Sequence, residues 1–321
     1  MRILKKIFIV LLAVSGITIL LYGCTSNGGD LQKVGMLVEN SVHDNAWSKQ
    51  GYKGLLNINK EFDVEVFYKE NIKTKQQVIE AVDELAKDGV NLIFGHSNTY
   101  GKYFVELAPS YPEIHFVYFN GGQFGEDVTS LNFNSHAMGF FAGMVAGKMT
   151  ETGHVGVIGA FEWQPEIEGF YEGVKYQNPE VDVTIQYVNS WNDPKAAMKH
   201  YQKMRKNGAD VFYPTGDLFS VKVLKKVSSD GLYGIGYVTD QSYIDNRAIL
   251  TSTVQHVSKL YVRSAEKFNE GKLRGGVLTY DFQDEVISLS KFSPVVPEDF
   301  QEKMNDEIEQ YKESALLPNE R

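Results

Sequence analysis

An α/β fold built on two parallel sheets is what this sequence predicts, and three features predict it. Short continuous apolar runs such as "VNLIFG" (90–95) and "IHFVYF" (114–119) suit strands covered on both faces. Stretches between them carry apolar residues at helical spacing, as at Val78, Val82 and Leu85. The alternation also runs twice along the chain, which calls for two sheets with right-handed crossovers.

In order, "KVGMLVE" (33–39) reads as a strand and Asn45 to about Lys60 as a helix. "VEVFYKE" (64–70) is a strand, "TKQQVIEAVDELAKDG" (74–89) a helix closed by Gly89, and 90–95, 114–119 and "VTSLNF" (128–133) are strands. "MGFFAGMVAGKM" (138–149), with Gly139, Gly143 and Gly147 four apart, is too short for a membrane span and reads as a buried helix pressed against a sheet. The second half gives strands at 154–161, 181–188, 209–214 and 232–238, with helices near 166–177, 195–207 and 218–229. "AILTSTVQ" (248–255) and the helix after it read as a return to the first lobe, and 276–321 as edge strands and a charged tail. The expected division is 31–132 plus 253–275 for lobe 1 and 133–252 plus 276–321 for lobe 2.

The N-terminus has its own logic. Arg2, Lys5 and Lys6 precede an uncharged apolar run that ends at "LYGC", where Cys24 is the chain's only cysteine. One thiol forms no internal disulfide and too little of a zinc site. A basic start, an apolar stretch and a small residue before cysteine form the pattern of a lipoprotein signal: residues 1–23 removed, Cys24 acylated, 24–30 a tether. The other reading is an uncleaved anchor with a bystander cysteine. The expected location is the extracytoplasmic face of the cell membrane.

Charge and motifs exclude several classes. The formal charge is −9, and losing the three basic residues of 1–23 takes it to −12. An acidic body repels phosphate backbones, so no direct nucleic-acid partner is expected, and "KVLKK" (222–226) reads as a solvated helix face. The seven histidines never pair at i, i+3 or i, i+4, no metal or cofactor motif is present, and no catalytic motif is complete. "GHSNT" (95–99) follows a predicted strand, where open sheets place ligand contacts.

The stretch "VTSLNFNSHAMGFFAGMVAGKMTETGHVGVIGAFEWQPEIEGFYEGVKYQNPEVDV" (128–183), with "YPEIHFVYFNG" (111–121), "GYVTDQ" (236–241) and "ILTSTVQHV" (249–257), resembles the basic membrane protein lipoproteins. These are substrate-binding proteins of ABC transporters, the characterised ones taking purine nucleosides. "VGMLVENSVHDNAW" and "WQPEIEGF" bring the chain closer to a regulatory branch of that family in bacilli, which promotes competence gene expression. The resemblance implies two Rossmann-like lobes of the type I periplasmic-binding-protein fold, a small-molecule ligand between them, an ABC permease as possible partner, and no enzymatic activity. It also implies departures from the family pattern. Where the family has Phe-Asn this chain has Asp44-Asn45, and an aspartate that helps hold ribose is Val238. A lysine that reaches the sugar is Gln255, and a glycine of the second lobe is Asp217.

The candidate ligand contacts are Asn45, His96, Ser97, Trp163, Asp217, Asp240 and Gln255. Five have a plainer alternative: Asn45 an N-cap, His96 and Ser97 caps of the next helix, Trp163 a rim aromatic on Pro165, Asp240 a turn cap; Gln255 is a candidate only through the resemblance. Trp191 reads as loop packing. The expected function is a lipid-anchored binding protein for a nucleoside-like ligand of altered specificity. The alternative is a regulator of competence genes that acts by sensing or contacting a partner, without reading DNA.

Overall fold

The computed structural model describes residues 30–321, so the predicted signal, Cys24 and most of the tether lie outside the described residues. The first sheet contains β1 (Lys33–Leu37), β2 (Glu65–Lys69), β3 (Leu92–Gly95), β4 (His115–Phe119), β5 (Val128–Phe133) and β11 (Gly276–Tyr280) in the order β11-β5-β4-β3-β1-β2, all parallel. The second contains β6 (His154–Gly159), β7 (Asp182–Tyr187), β8 (Val211–Thr215), β9 (Tyr233–Gly236), β10 (Ile249–Gln255) and β12 (Ile287–Leu289) in the order β12-β10-β9-β8-β6-β7. Only its β10–β12 pair is antiparallel. Both sheets thus reverse strand order beside their first strand, β1 against β3 and β6 against β8. Such switch points open crevices at the carboxyl ends of parallel strands.

Helices cover both faces. In the first lobe these are α1 (Ala46–Phe62), α2 (Lys75–Lys87) and α3 (Tyr100–Leu107); in the second, α4 (Ser135–Met149), α5 (Pro165–Gln177), α6 (Pro194–Lys206) and α7 (Asp217–Ser229). α8 (Val257–Asn269) packs on α1, and α9 (Glu298–Ser314) closes the chain. Local chemistry sets their starts. Thr74 and Gln77 form a capping box for α2, Asp193 caps α6, and α5 and α6 begin with proline, which needs no helical donor there.

The predicted glycine spacing in α4 serves a different partner from the one expected. A Cβ on Gly139 would stand 2.1 Å from the Glu166 carbonyl, and one on Gly169 would stand 2.0 Å from the His136 carbonyl. The close approach is therefore α4 to α5, backbone against backbone, and it fixes the first turn of α5. Among the described residues no helix is long and apolar enough to cross a membrane.

The chain crosses between lobes three times, and the expected boundaries need correcting at two of them. β10 does not return to the first lobe: it pairs with β9, and the crossing comes after it, at His256. Residues 276–280 do not belong to the second lobe. β11 pairs with β5 from Gly276↔Thr129 to Tyr280↔Phe133, covering an edge that would otherwise stay open. The last crossing then lies between Tyr280 and Ile287. There Asn134 Nδ2 donates to Asp281 Oδ2 at 2.7 Å and the Tyr311 hydroxyl donates to the same oxygen at 2.6 Å, tying two crossovers to α9.

Candidate ligand-binding cleft

A cavity of about 760 Å³ lies between the lobes, where both switch points face each other. This is within the ~300–1,000 Å³ usual for small-molecule sites. On the first lobe, Asn45 follows β1 and caps α1, its Oδ1 accepting from Ser48 N–H at 2.7 Å. Trp47, in the first turn, lies flat on His96 with ring centroids 4.7 Å apart and planes at 19°. The indole N–H donates to the His96 carbonyl at 3.2 Å. His96 Nε2 donates to the Trp47 carbonyl at 2.9 Å, and its Nδ1 accepts from the Tyr261 hydroxyl at 2.9 Å. Burial lowers the imidazole to about 4, so it stays neutral, and both nitrogens are engaged within the protein. Gly51 makes room for this ring, since a Cβ there would stand 2.5 Å from it. His96 therefore forms a rigid floor and holds Trp47 in place.

Beside it, Ser97 Oγ donates to Glu39 Oε1 at 2.8 Å and accepts from Thr99 N–H at 3.2 Å. Asn98, Asn120 and Asn132 add amides to the same wall.

On the second lobe, Trp163 follows β6. It stacks on Phe161 at 15° and meets Trp191 edge-on at 5.7 Å, yet is 57% exposed. Glu166 is 4% exposed, and its Oε1 accepts from Gln164 Nε2 and from the Tyr237 hydroxyl, both at 2.9 Å. Burial raises its pKa. Asp217 opens α7 after β8, and burial raises its carboxyl to about 6. Its Oδ1 accepts from the backbone N–H of Trp47, on the opposite lobe, at 3.5 Å.

Residues 31–320 match the Bmp family, described as ABC transporter substrate-binding protein PnrA-like. The chain belongs to the Bmp family. It is 45% identical to the transcriptional activator protein Med of Bacillus subtilis (strain 168) over 98% of each chain. It is 47% identical to the crystal structure of a transcriptional activator of the comK gene from Bacillus halodurans, with a TM-score of 0.85, covering 89% of this chain and 99% of that one. An ABC transporter solute-binding protein from Conexibacter woesei DSM 14684 shares the fold at 18% identity and a TM-score of 0.73, over 90% and 99% of the two chains. The two-lobed α/β architecture is thus that of solute-binding proteins of ABC transporters.

Among the residues predicted from sequence, Asn45, His96, Ser97, Trp163, Asp217 and Gln255 come together on the cleft. Asp240 is not one of its lining residues. It is exposed, and its Oδ1 accepts from Ser242 N–H at 2.9 Å, capping a turn. The two positions where the resemblance implies an aspartate and a lysine are neighbours: Gln255 N–H donates to the Val238 carbonyl at 2.9 Å, and both residues line the cleft. Val238 has φ of 66°, an unusual value for a β-branched residue. Glu39, Gln164, Glu166 and Tyr237 line the cleft without having been singled out, and Trp191, read from the sequence as loop packing, lines it too. The signal for Glu166 was present in "WQPE": a proline opening a helix straight after a strand, with an acid in its first turn.

Proposed function

We propose that this chain is a lipid-anchored, extracytoplasmic binding protein that takes a nucleoside-like small molecule, of altered specificity, between its lobes. The cleft at the paired switch points carries the reading: an aromatic floor of Trp47 on His96, a rim tryptophan at Trp163, and a wall of amides and hydroxyls. A flat ring stacks on such surfaces while polar side chains fix its substituents. With Val238 and Gln255 where the Bmp pattern has aspartate and lysine, two charge-assisted contacts to a ribose are missing. At ~1.5–3 kcal/mol each, their loss weakens nucleoside binding by roughly 10²–10⁴-fold. Family membership supports a permease as the docking partner, and the basic–apolar–Cys24 sequence supports the anchor.

A thermal-shift panel of nucleosides and nucleobases tests this. A ligand at 100 times its Kd adds ~2.7 kcal/mol of stability, whereas submicromolar adenosine or guanosine binding would refute altered specificity. Labelled lipid on Cys24, with a protease-accessible body on intact protoplasts, tests the anchor.

The 45% identity to Med over nearly the whole chain favours a second reading: promotion of competence gene expression. With a net charge of −9, this chain would do so by ligand sensing or contact with a partner protein, without reading DNA.

A further inference from the structure

The cleft has an unbalanced charge. Its lining includes three carboxyl groups, Glu39, Glu166 and Asp217, and among the described residues that line it there is no lysine or arginine. None of the three carboxyls takes part in an ion pair among the described residues. Glu166 is the most buried, and the donors that reach its carboxyl, the Gln164 amide, the Tyr237 hydroxyl and its own backbone N–H, are all uncharged. Burial raises the pKa of both Glu166 and Asp217, and the charge of Lys49, which is not among the lining residues, pulls Asp217 the other way by less than burial does. Around them stand the rings of Trp47, Trp163 and Trp191, whose faces attract cations.

An anionic ligand would bring a fourth negative charge into this space. A neutral one can donate hydroxyl or amino hydrogens to the carboxyls but leaves their charge without a partner. A cation supplies what the lining lacks, and the volume and aromatic walls fit an organic one better than a bare metal ion. Among the described residues no cluster of carboxylates, histidines or cysteines could hold a metal. We propose that the ligand is a small organic cation, carrying a protonated or quaternary nitrogen on a ring-bearing body, and that phosphorylated and carboxylate-bearing compounds are excluded. The inference rests on the binding-protein reading above and deepens it.

The test varies charge on a fixed scaffold. One set is 5′-amino-5′-deoxyadenosine, adenosine and adenosine monophosphate; the other is tryptamine, tryptophol and indole-3-acetate. Each compound is titrated by calorimetry into the full-length protein in detergent at neutral pH. In whichever set binds, the amine is expected to bind at least ~10-fold tighter than the neutral member, with the acid undetectable. Glu166→Gln is expected to cut that preference ~10-fold, and Asp217→Asn to cut it likewise should the first variant fail to fold. Neutral or acidic members binding as tightly as the amine would overturn the charge assignment and leave the ligand site standing. No binding by any member of either set would remove both.

Discussion

The Asp217 carboxyl of the second lobe accepts a hydrogen bond from the backbone N–H of Trp47 on the first, at 3.5 Å across the cleft. Each residue sits in the first turn of its own helix, so two helix N-termini converge on one carboxyl. Asp217 stands where the family resemblance puts a glycine. One side chain thereby joins the two lobes directly.

Burial of this carboxyl, which outweighs the opposing pull of the Trp47 hydrogen bond, predicts a pH-dependent effect. The folded pKa of Asp217 is raised to about 6 from an ordinary 3.8, so the folded state holds the proton more tightly than the unfolded one. Its contribution to stability is present at low pH and is lost as pH rises through about 6. Asp217→Asn keeps the acceptor and removes the titration. The variant is expected to unfold at higher denaturant than the parent above pH 6, by about 1–3 kcal/mol, with the difference vanishing towards pH 4. Urea unfolding across that range checks it.

Tyr261→Phe removes the only donor to His96 Nδ1 among the described residues and leaves a buried acceptor unsatisfied. A loss of about 1–3 kcal/mol is expected by urea denaturation. Because His96 supports the Trp47 ring, ligand affinity should fall in the same variant.

Gly169→Ala places a Cβ against a backbone carbonyl, which cannot swing aside as a side chain could. A cost of at least about 3 kcal/mol is expected, as α4 and α5 are forced apart and Glu166 shifts. Gly125→Ala, whose new Cβ meets only ordinary contacts 3.7 Å away, should stay within about 0.5 kcal/mol of the parent.

The pair Val238→Asp with Gln255→Lys restores both charges that the Bmp pattern carries, at adjacent positions. Adenosine affinity is expected to rise 10²–10⁴-fold, roughly the reverse of the loss argued for the parent. A folded double variant with no gain by calorimetry would show that other residues set the specificity.

The alternation of strands and helices was legible because parallel strands covered on both faces are written as continuous apolar runs, as in residues 90–95 and 114–119. The last crossing was not. β11 is a short strand of alternating exposure, and its partner β5 lies far upstream, so nothing local marks the pairing. Candidates placed after strands, such as His96 and Trp163, met at the cleft because loops at a switch point face it. Asp240 lies in such a loop too, but its carboxyl is spent on Ser242, a local bond that sequence does not distinguish from a ligand contact. Tyr237 and Glu166 meet only after folding, across 71 residues.

The most direct test equilibrates the full-length protein with a small-molecule extract of cells, washes and denatures it, and analyses what is released by mass spectrometry. One compound class should be enriched on the parent and lost from both Trp47→Ala and Glu166→Gln. Recovery of nothing beyond what those two variants release would contradict a ligand held between the lobes.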